Sequence, residues 1–421
     1  MEGMAPRGCR LVNGKWLHLG QDGCLKPEEF MFEPDDPVLA PVTNLLRECD
    51  EIDCDGMTVM PGMIDSHVHV TASSADLRKP AFMTPSLLYA RSVPILEGML
   101  MRGFTTVRDC GGADHGLAEA VEEGTLKGPR IIHCGKALSQ TGGHGDFRAA
   151  AENQLPFGSC RCCNFTIGRV CDGITACREA VRDEVRKGAS HIKIMASGGV
   201  ASPTDRLENL QFSEEDLKAI VEEAKNAKIY CCAHAYTDEA IERAVRCGVR
   251  SIEHGNYASD ETLDLMKQKG VFLVPQELVD KVGDLVQRGQ KTLKRATEMG
   301  VDVCYGSDLL GDMHKWQAHG IDLHLKAGVS NLDLLKSLVH TPHKMIYPGA
   351  GYLRSADKPP SSVYGYAGFR ADLLVVKGDV LENPRLLMDP DNIKVIIANG
   401  KIVKNELGFK KQESAPKRAR R

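Results

Sequence analysis

From about residue 80 onward, short apolar runs alternate with stretches whose apolar positions recur every three or four residues. That alternation marks βα units built around a parallel sheet. The runs that predict inner strands are 60–70, 105–109, 130–134, 191–197, 230–234, 251–254, 271–275 and 302–306. Between them lie amphipathic stretches such as 213–227 and 237–247. The first of these opens with Ser213-Glu214-Glu215-Asp216, a capping signal ahead of its apolar positions. Eight strands interleaved with helices predict an α/β chain that closes as a (β/α)8, TIM-like barrel rather than an open sheet.

The two ends read differently. Residues 10–59 and about 366–405 carry turn residues and short apolar runs, including 371–377 and 393–403, without intervening helical periodicity. They predict a small composite β-sandwich domain built from both termini, over 1–59 and 366–405, with the barrel over 60–346. Residues 347–365 are rich in Pro, Ser and Gly and read as a connecting loop. The segment 410–421 is polar and basic and reads as a disordered, solvated tail, the alternative being a nuclear localisation signal.

A chain of 421 residues accommodates a barrel of about 250 residues plus a smaller domain. The formal net charge of -4, with acids and bases dispersed, gives no reason to expect nucleic acid or an anionic membrane as a partner. A small-molecule substrate is expected instead, and a homo-oligomer is compatible with the sequence. No apolar run approaches the roughly 20 residues of a membrane span, and the first ten residues lack a secretory core, so a cytoplasmic protein is expected. Fifteen cysteines is an odd number. Several fall inside predicted strands, which reads as reduced core thiols. The cluster Cys160, Cys162, Cys163, Cys171 and Cys177 lacks the two regular arms of a zinc ribbon and is read as free thiols rather than a structural metal site.

Chemistry gathers at the strand ends. In Pro61-Gly62-Met63-Ile64-Asp65-Ser66-His67-Val68-His69, alternate strand residues face one side, so His67 and His69 can grip one metal ion. His234 and His254 each close a predicted strand, and Asp308 follows the last. Any one of these histidines alone reads equally as a hydrogen-bonded core residue. Together they present metal-type side chains at the end of a barrel where catalytic groups sit. Lys193, flanked by isoleucines within a strand, must point into the interior, where an unpaired ammonium is costly. Two solutions stand open: reaction with carbon dioxide to give an anionic carbamate, or pairing with a carboxylate such as Asp308.

The motifs PGMIDSHVH, LSQTGGHGD, IKIMASGG, AHAYT, SIEHG and YGSD, in that order, resemble the amidohydrolase superfamily. Within it they are similar to the imidazolonepropionase-related branch that includes Xaa-Pro dipeptidases and ochratoxinase-like enzymes. The resemblance implies two divalent metal ions, zinc by default with manganese or cobalt as alternatives. His67, His69 and Asp308 would hold one, His234 and His254 the other, and Lys193 would bridge them as N6-carboxylysine. It implies a metal-bridging hydroxide that attacks the C–N amide bond of a dipeptide or N-acyl amino acid, with Asp308 passing the proton to the leaving nitrogen. His144 and Tyr236 match substrate-contacting positions, and the Ser197-Gly198-Gly199 run would let backbone approach the ligand. His314 falls in a variable region where it would add a polar contact.

Two other readings follow from the same scaffold. A deaminase or decarboxylase is the enzymatic alternative, although deaminases of the superfamily usually use one metal and an additional acid, whereas Lys193 suggests two. A non-catalytic assembly protein is the other, against which the retention of all six ligand-type residues argues.

Overall fold

The computed structural model describes residues 8–20, 22–33, 36–41, 49–153, 166–276, 284–347 and 370–410. It divides into two compact units, Met1–Gly62 with Gly349–Arg421, and Met63–Pro348. Of the expected loop 347–365 and disordered tail 410–421, all but Tyr347 and Lys410 lie outside the described residues, as do Cys160, Cys162 and Cys163; Lys410 is ordered, bridging Glu51 and paired with Asp53 at 2.7 Å.

The first unit holds one eight-stranded sheet. From the N-terminal side come β1 (Gly8–His18), β2 (Cys24–Glu33), β3 (Asp36–Pro41), β4 (Cys49–Asp53) and β5 (Thr58–Pro61); from the C-terminal side come Leu373–Val376, Ile393–Ala398 and Lys401–Asn405. The last three run antiparallel and join the sheet through Leu373–Val376 against β5, which lies parallel to β1. Alternate positions of strands from both ends share one core: Leu11, Trp16, Phe30, Ile52, Val59, Leu373, Val375, Val395 and Ile397 are all buried in it. Trp16 and Phe30 meet there edge to face at 4.8 Å, an arrangement that the aromatic quadrupole favours.

The second unit is α/β. Its strands are β6 (Met63–Val68), β7 (Phe104–Asp109), β8 (Arg130–His133), β9 (Ala137–Ser139), β10 (Gly168–Val170), β11 (His191–Met195), β12 (Tyr230–Ala235), β13 (Ser251–His254) and β14 (Phe272–Val274). All pair in parallel, in a sheet of order β6-β7-β8 and another of order β10-β9-β11-β12-β13-β14. The intervening helices include α1 (Pro85–Met101), α2 (His115–Glu122), α3 (Gly173–Arg186), α4 (Glu214–Asn226) and α5 (Asp238–Cys247). The Ser213 capping box is formed, with Asp216 at its third position. In α5, Ala240, Ile241, Ala244 and Val245 are buried, while Thr237 caps the start and Gly248 at φ 96° ends it. Among the described residues no helix is long and apolar enough to cross a membrane.

Two strand expectations are corrected. The run 60–70 is not one strand. It breaks at Gly62, whose N–H donates to Asp372 O, while the next N–H, of Met63, donates to Gly103 O. The run 302–306 makes no ladder of its own; only Val303 bridges Leu273. Its backbone nevertheless bonds to both sides, through Leu273 N to Asp302 O, Cys304 N to Leu273 O, and Ser66 N to Tyr305 O. Asp308 N then donates to His67 O. Residues 302–308 thereby tie β14 to β6 by isolated bonds, which a hydrophobic run in sequence cannot distinguish from a paired strand.

Candidate active site

His67, His69, Lys193, His234, His254 and Asp308, with His144 and Tyr236, line one cavity of about 250 Å³. All but Lys193, which stands in the middle of β11, come from the C-terminal end of a strand or the loop beyond it. His67 Nε2 and His69 Nε2 stand 3.5 and 3.3 Å from Asp308 Oδ1, and His254 Nε2 is 4.0 Å from Asp308 Oδ2. Donors about 2.1 Å from a tetrahedral ion lie about 3.4 Å from one another. Each imidazole nitrogen stands near that spacing from Asp308 Oδ1, and the donor atoms of the three residues lie within 4.8 Å of one another.

The opposite ring nitrogens fix the tautomers. His67 Nδ1 lies 2.8 Å from Glu253 Oε2, and His69 Nδ1 lies 2.8 Å from Gly111 O. Each Nδ1 therefore carries a proton, although Gln276 Nε2 also stands 2.8 Å from His67 Nδ1, and a neutral ring keeps its lone pair on Nε2, the side on which Asp308 lies. His234 is reversed: its Nε2 donates to Gly198 O at 3.0 Å, which leaves Nδ1 as the free lone pair. His234 packs edge-on against His254 with ring centroids 4.4 Å apart, and Tyr236 stacks on His254 at 4.5 Å.

Two of these residues adopt backbone conformations that non-glycine side chains rarely take, His254 at φ 73° and Asp308 at φ 49°. Such geometry costs of order 1 kcal/mol or more each and persists where the surroundings impose it. His254 lines the cavity beside the His67 ring, with centroids 5.7 Å apart, while its β13 neighbour Glu253 bonds His67 Nδ1.

Lys193 is fully buried on β11, as its flanking isoleucines require. Its Nζ lies 3.4 Å from His67 Nε2, and among the described residues it forms no ion pair with a carboxylate. The paired-ammonium solution therefore lacks its ion pair with Asp308. Burial disfavours the charged amine, but Cys110, Glu253, Cys232 and Asp308 around it outweigh burial and raise its pKa. Burial likewise works against the Asp308 carboxylate, yet His67, His69 and His254 hold it well below the usual carboxylate range. Burial brings His254 down to about 3, with Lys193 adding to the shift, so its imidazole is neutral near pH 7.

Several supporting residues gave no individual signal in the sequence. Arg108, fully buried, donates through Nη2 to Glu253 Oε1 at 2.7 Å, through Nη1 to Ser251 Oγ at 3.0 Å and through Nε to Ser66 O at 2.5 Å. Glu253 thus joins Arg108 to His67. Asp65 accepts from His67 N, Ser307 N and Gln317 Nε2, pinning β6 to the segment that carries Asp308. Asp109 does the same for the turn that holds His69, accepting from Val70 N, Gly111 N and Ala113 N.

His314 is corrected. It is buried and bonds Ala72 O through Nε2 at 3.1 Å rather than facing the cavity, where its neighbour Met313 stands instead. The expected close approach at Gly198-Gly199 also has a different object: a Cβ on Gly199 would strike the His144 ring, and one on Gly198 would strike the Arg206 carbonyl. The described cysteines are free thiols, all buried except Cys24, with Cys171 and Cys177 Sγ atoms 3.9 Å apart.

A model of the amidohydrolase family matches residues 58–403, and the chain belongs to that family. Ochratoxinase of Aspergillus niger is 30% identical over 378 residues, covering 82% of this chain and 75% of that protein. A prolidase solved in complex with N-methylphosphonate-L-proline superposes with a TM-score of 0.86 at 40% identity, covering 94% of this chain and 100% of that one. A Xaa-Pro dipeptidase with methionine bound in its active site superposes with a TM-score of 0.79 at 26% identity, covering 94% of this chain and 100% of that one. These likenesses give the chain a TIM-barrel-type α/β fold.

Proposed function

We propose that this chain is a metal-dependent hydrolase that cleaves the C–N amide bond of a dipeptide or N-acyl amino acid. The site would lie at the open end of a closed (β/α)8 barrel over about 60–346, with 1–59 and 366–405 forming a separate composite β-sandwich. The observation that carries the reading is the set of three donors, His67 Nε2, His69 Nε2 and Asp308 Oδ1, within 4.8 Å of one another, with Nδ1 of both imidazoles engaged on the far side. Those three would hold one divalent ion, and His234 through Nδ1 with His254 would hold a second. Lys193 stands beside His67 with no carboxylate paired to it among the described residues, and as a carbamate it would serve both ions. Bound there, two divalent ions such as zinc, manganese or cobalt make water a nucleophile near neutral pH and polarise the scissile carbonyl.

The chain's own residues supply the rest. Asp308 stays an anion across the physiological range and is placed to accept a proton and hand it to the leaving nitrogen. Burial, with Asp308 nearby, raises the Tyr236 phenol, so it keeps its proton and can donate to negative charge developing on the carbonyl oxygen. Leu77, Phe147, Ile167 and Leu310 form an apolar wall against which a substrate side chain packs and from which water is displaced. That the relatives named above include prolidase, Xaa-Pro dipeptidase and ochratoxinase supports a substrate in which an amino acid is released from an amide.

The test is a screen of the metal-loaded enzyme against dipeptide and N-acyl amino acid libraries, with free amino acid as the readout. Release of an amino acid from at least one class is expected, and His69→Ala should abolish it while leaving the folded circular dichroism spectrum intact. Ammonia or carbon dioxide without an amino acid would replace this reading with the deaminase or decarboxylase.

A further inference from the structure

A second cavity, of about 290 Å³, opens at the starts of β12 and β13, the strands whose far ends carry His234 and His254. Val221, Ile229 and Val249 supply its apolar lining. Around them stand Lys225, Lys228, Arg250 and Lys269, and among the described residues that line the cavity none is acidic. In a chain of net charge -4 this is a local excess of positive charge. Among the described residues the amines of Lys225, Lys228 and Lys269 form no hydrogen bond and no ion pair. Arg250 is held in place by carbonyls, through Nε to Met345 O at 2.7 Å and Nη2 to Lys344 O at 2.8 Å, and it too pairs with no carboxylate.

The lysines are not engaged by the helix ends that meet here. A helix C-terminus attracts cations, and α4, α5 and α6 (Asp260–Lys269) all finish at this cavity. Their last carbonyls are already taken by backbone N–H groups. Glu223 O, Ala224 O and Lys225 O accept from residues 227–229, Ala244 O and Val245 O from Gly248, and Met266 O and Lys267 O from Val271 and Gly270.

The backbone adds an independent sign. Where α1, α2, α3, α5, α6 and α7 (Leu285–Met299) end, the chain turns on a glycine at positive φ: Gly103, Gly124, Gly188, Gly248, Gly270 and Gly300. After α4 the same turn falls on Lys228, at φ 63°. A side chain is disfavoured in that conformation and glycine is not, and strain of this kind points to a use beyond the fold. Gly248 contributes differently: a Cβ there would stand 3.2 Å from Lys225 Nζ, so its absence leaves room for the amine to lie against the chain.

We propose that this cavity binds a small phosphate-bearing molecule, its oxygens taken by Lys225, Lys228, Lys269 and Arg250 and any organic body packed on Val221, Ile229 and Val249. A phosphate group offers close to two negative charges and several acceptor oxygens, which suits a ring of cations better than a single carboxylate does. The site is separate from the proposed metal ligands and does not rest on the amide-hydrolase reading.

Isothermal titration of the full-length, metal-loaded protein with adenosine monophosphate and with inorganic pyrophosphate tests the proposal. Saturable binding of at least one is expected, weakening as salt is raised. Lys225→Gln and Lys228→Gly should each weaken it at least about tenfold, the loss of one charge-assisted bond. Phosphate held by the catalytic ions would keep its affinity in both variants, so the two locations are distinguished. Tighter binding of the nucleotide would show that the organic body contributes, and tighter binding of pyrophosphate that the phosphates suffice. Because glycine relieves the strain at 228, Lys228→Gly should lose the ligand without lowering Tm. No saturable binding of either probe, or unchanged affinity in both variants, would overturn the proposal. So would a lowered Tm in Lys228→Gly with binding retained, the result expected of a lysine that serves only the end of α4.

Discussion

Replacing Lys193 with alanine should lower turnover by at least about a thousandfold, equivalent to about 4 kcal/mol of lost transition-state stabilisation, while the protein remains folded. The size follows from position: the amine is fully buried and 3.4 Å from His67 Nε2. Its thiol and carboxylate neighbours favour the ammonium, but divalent cations held by the adjacent ligands would disfavour a further positive charge there. Conversion to a carbamate changes it from cation to anion and supplies two oxygens where cations are to be held. Alanine removes that anion and leaves a space about the size of the lost side chain. A short carboxylic acid such as propionate, added from solution, should enter that space and restore part of both metal content and turnover. Near-normal turnover by Lys193→Ala would remove the carbamate from the account. Lost activity with no rescue and unchanged metal content would favour the ammonium alternative.

Arg108→Met should destabilise the protein by about 3 to 5 kcal/mol, since breaking a buried pair from one side leaves an uncompensated charge. The geometry explains why the effect falls at the upper end for a single substitution. Neither Arg108 nor Glu253 has any exposed side-chain surface, and the guanidinium makes three hydrogen bonds at 2.5 to 3.0 Å, to Ser66 O, Ser251 Oγ and Glu253 Oε1. The removed arm leaves Glu253 bonded to His67 Nδ1 and the Ser251 hydroxyl, with its negative charge unmatched. Pairing the substitution with Glu253→Gln should recover a substantial part of the loss, because the orphaned charge goes with it. Urea unfolding of the single and double variants measures both. A loss under about 1 kcal/mol in Arg108→Met would show that the pair does not support the barrel interior.

The candidate site was legible wherever a local rule placed a side chain. The two-residue period of a strand put His67 and His69 on one face, and the isoleucines beside Lys193 turned it inward; the cavity contains all three. Rules of that kind end where the chain bends. His254 and Asp308 reach the cavity through left-handed backbone, which no pattern of apolar residues encodes. Arg108 and Glu253, or His144 and Asp205, meet across long stretches of chain, and their types alone suggest surface charges as readily as buried partners.

The terminal sheet shows a different kind of miss. The run 393–403 reads as one apolar stretch, but Asn399-Gly400, with φ 51° and 70°, turns it back into a hairpin in which Ala398 pairs with Lys401. An Asn-Gly pair between apolar runs is a recognised signal for such a turn, so this break was available in the sequence. The break at Gly62 was available too, because Pro61-Gly62 is a turn-type dipeptide inside the run, and the hydrogen-bond partners change there.

The measurement that bears most directly on the whole account is the number of metal ions per chain, taken by elemental analysis after purification without chelator. Two ions per chain are expected, falling on substitution of His67 or Lys193. A count that stays at one or none after the protein is replenished with zinc, manganese or cobalt would contradict the binuclear site and the hydrolysis derived from it.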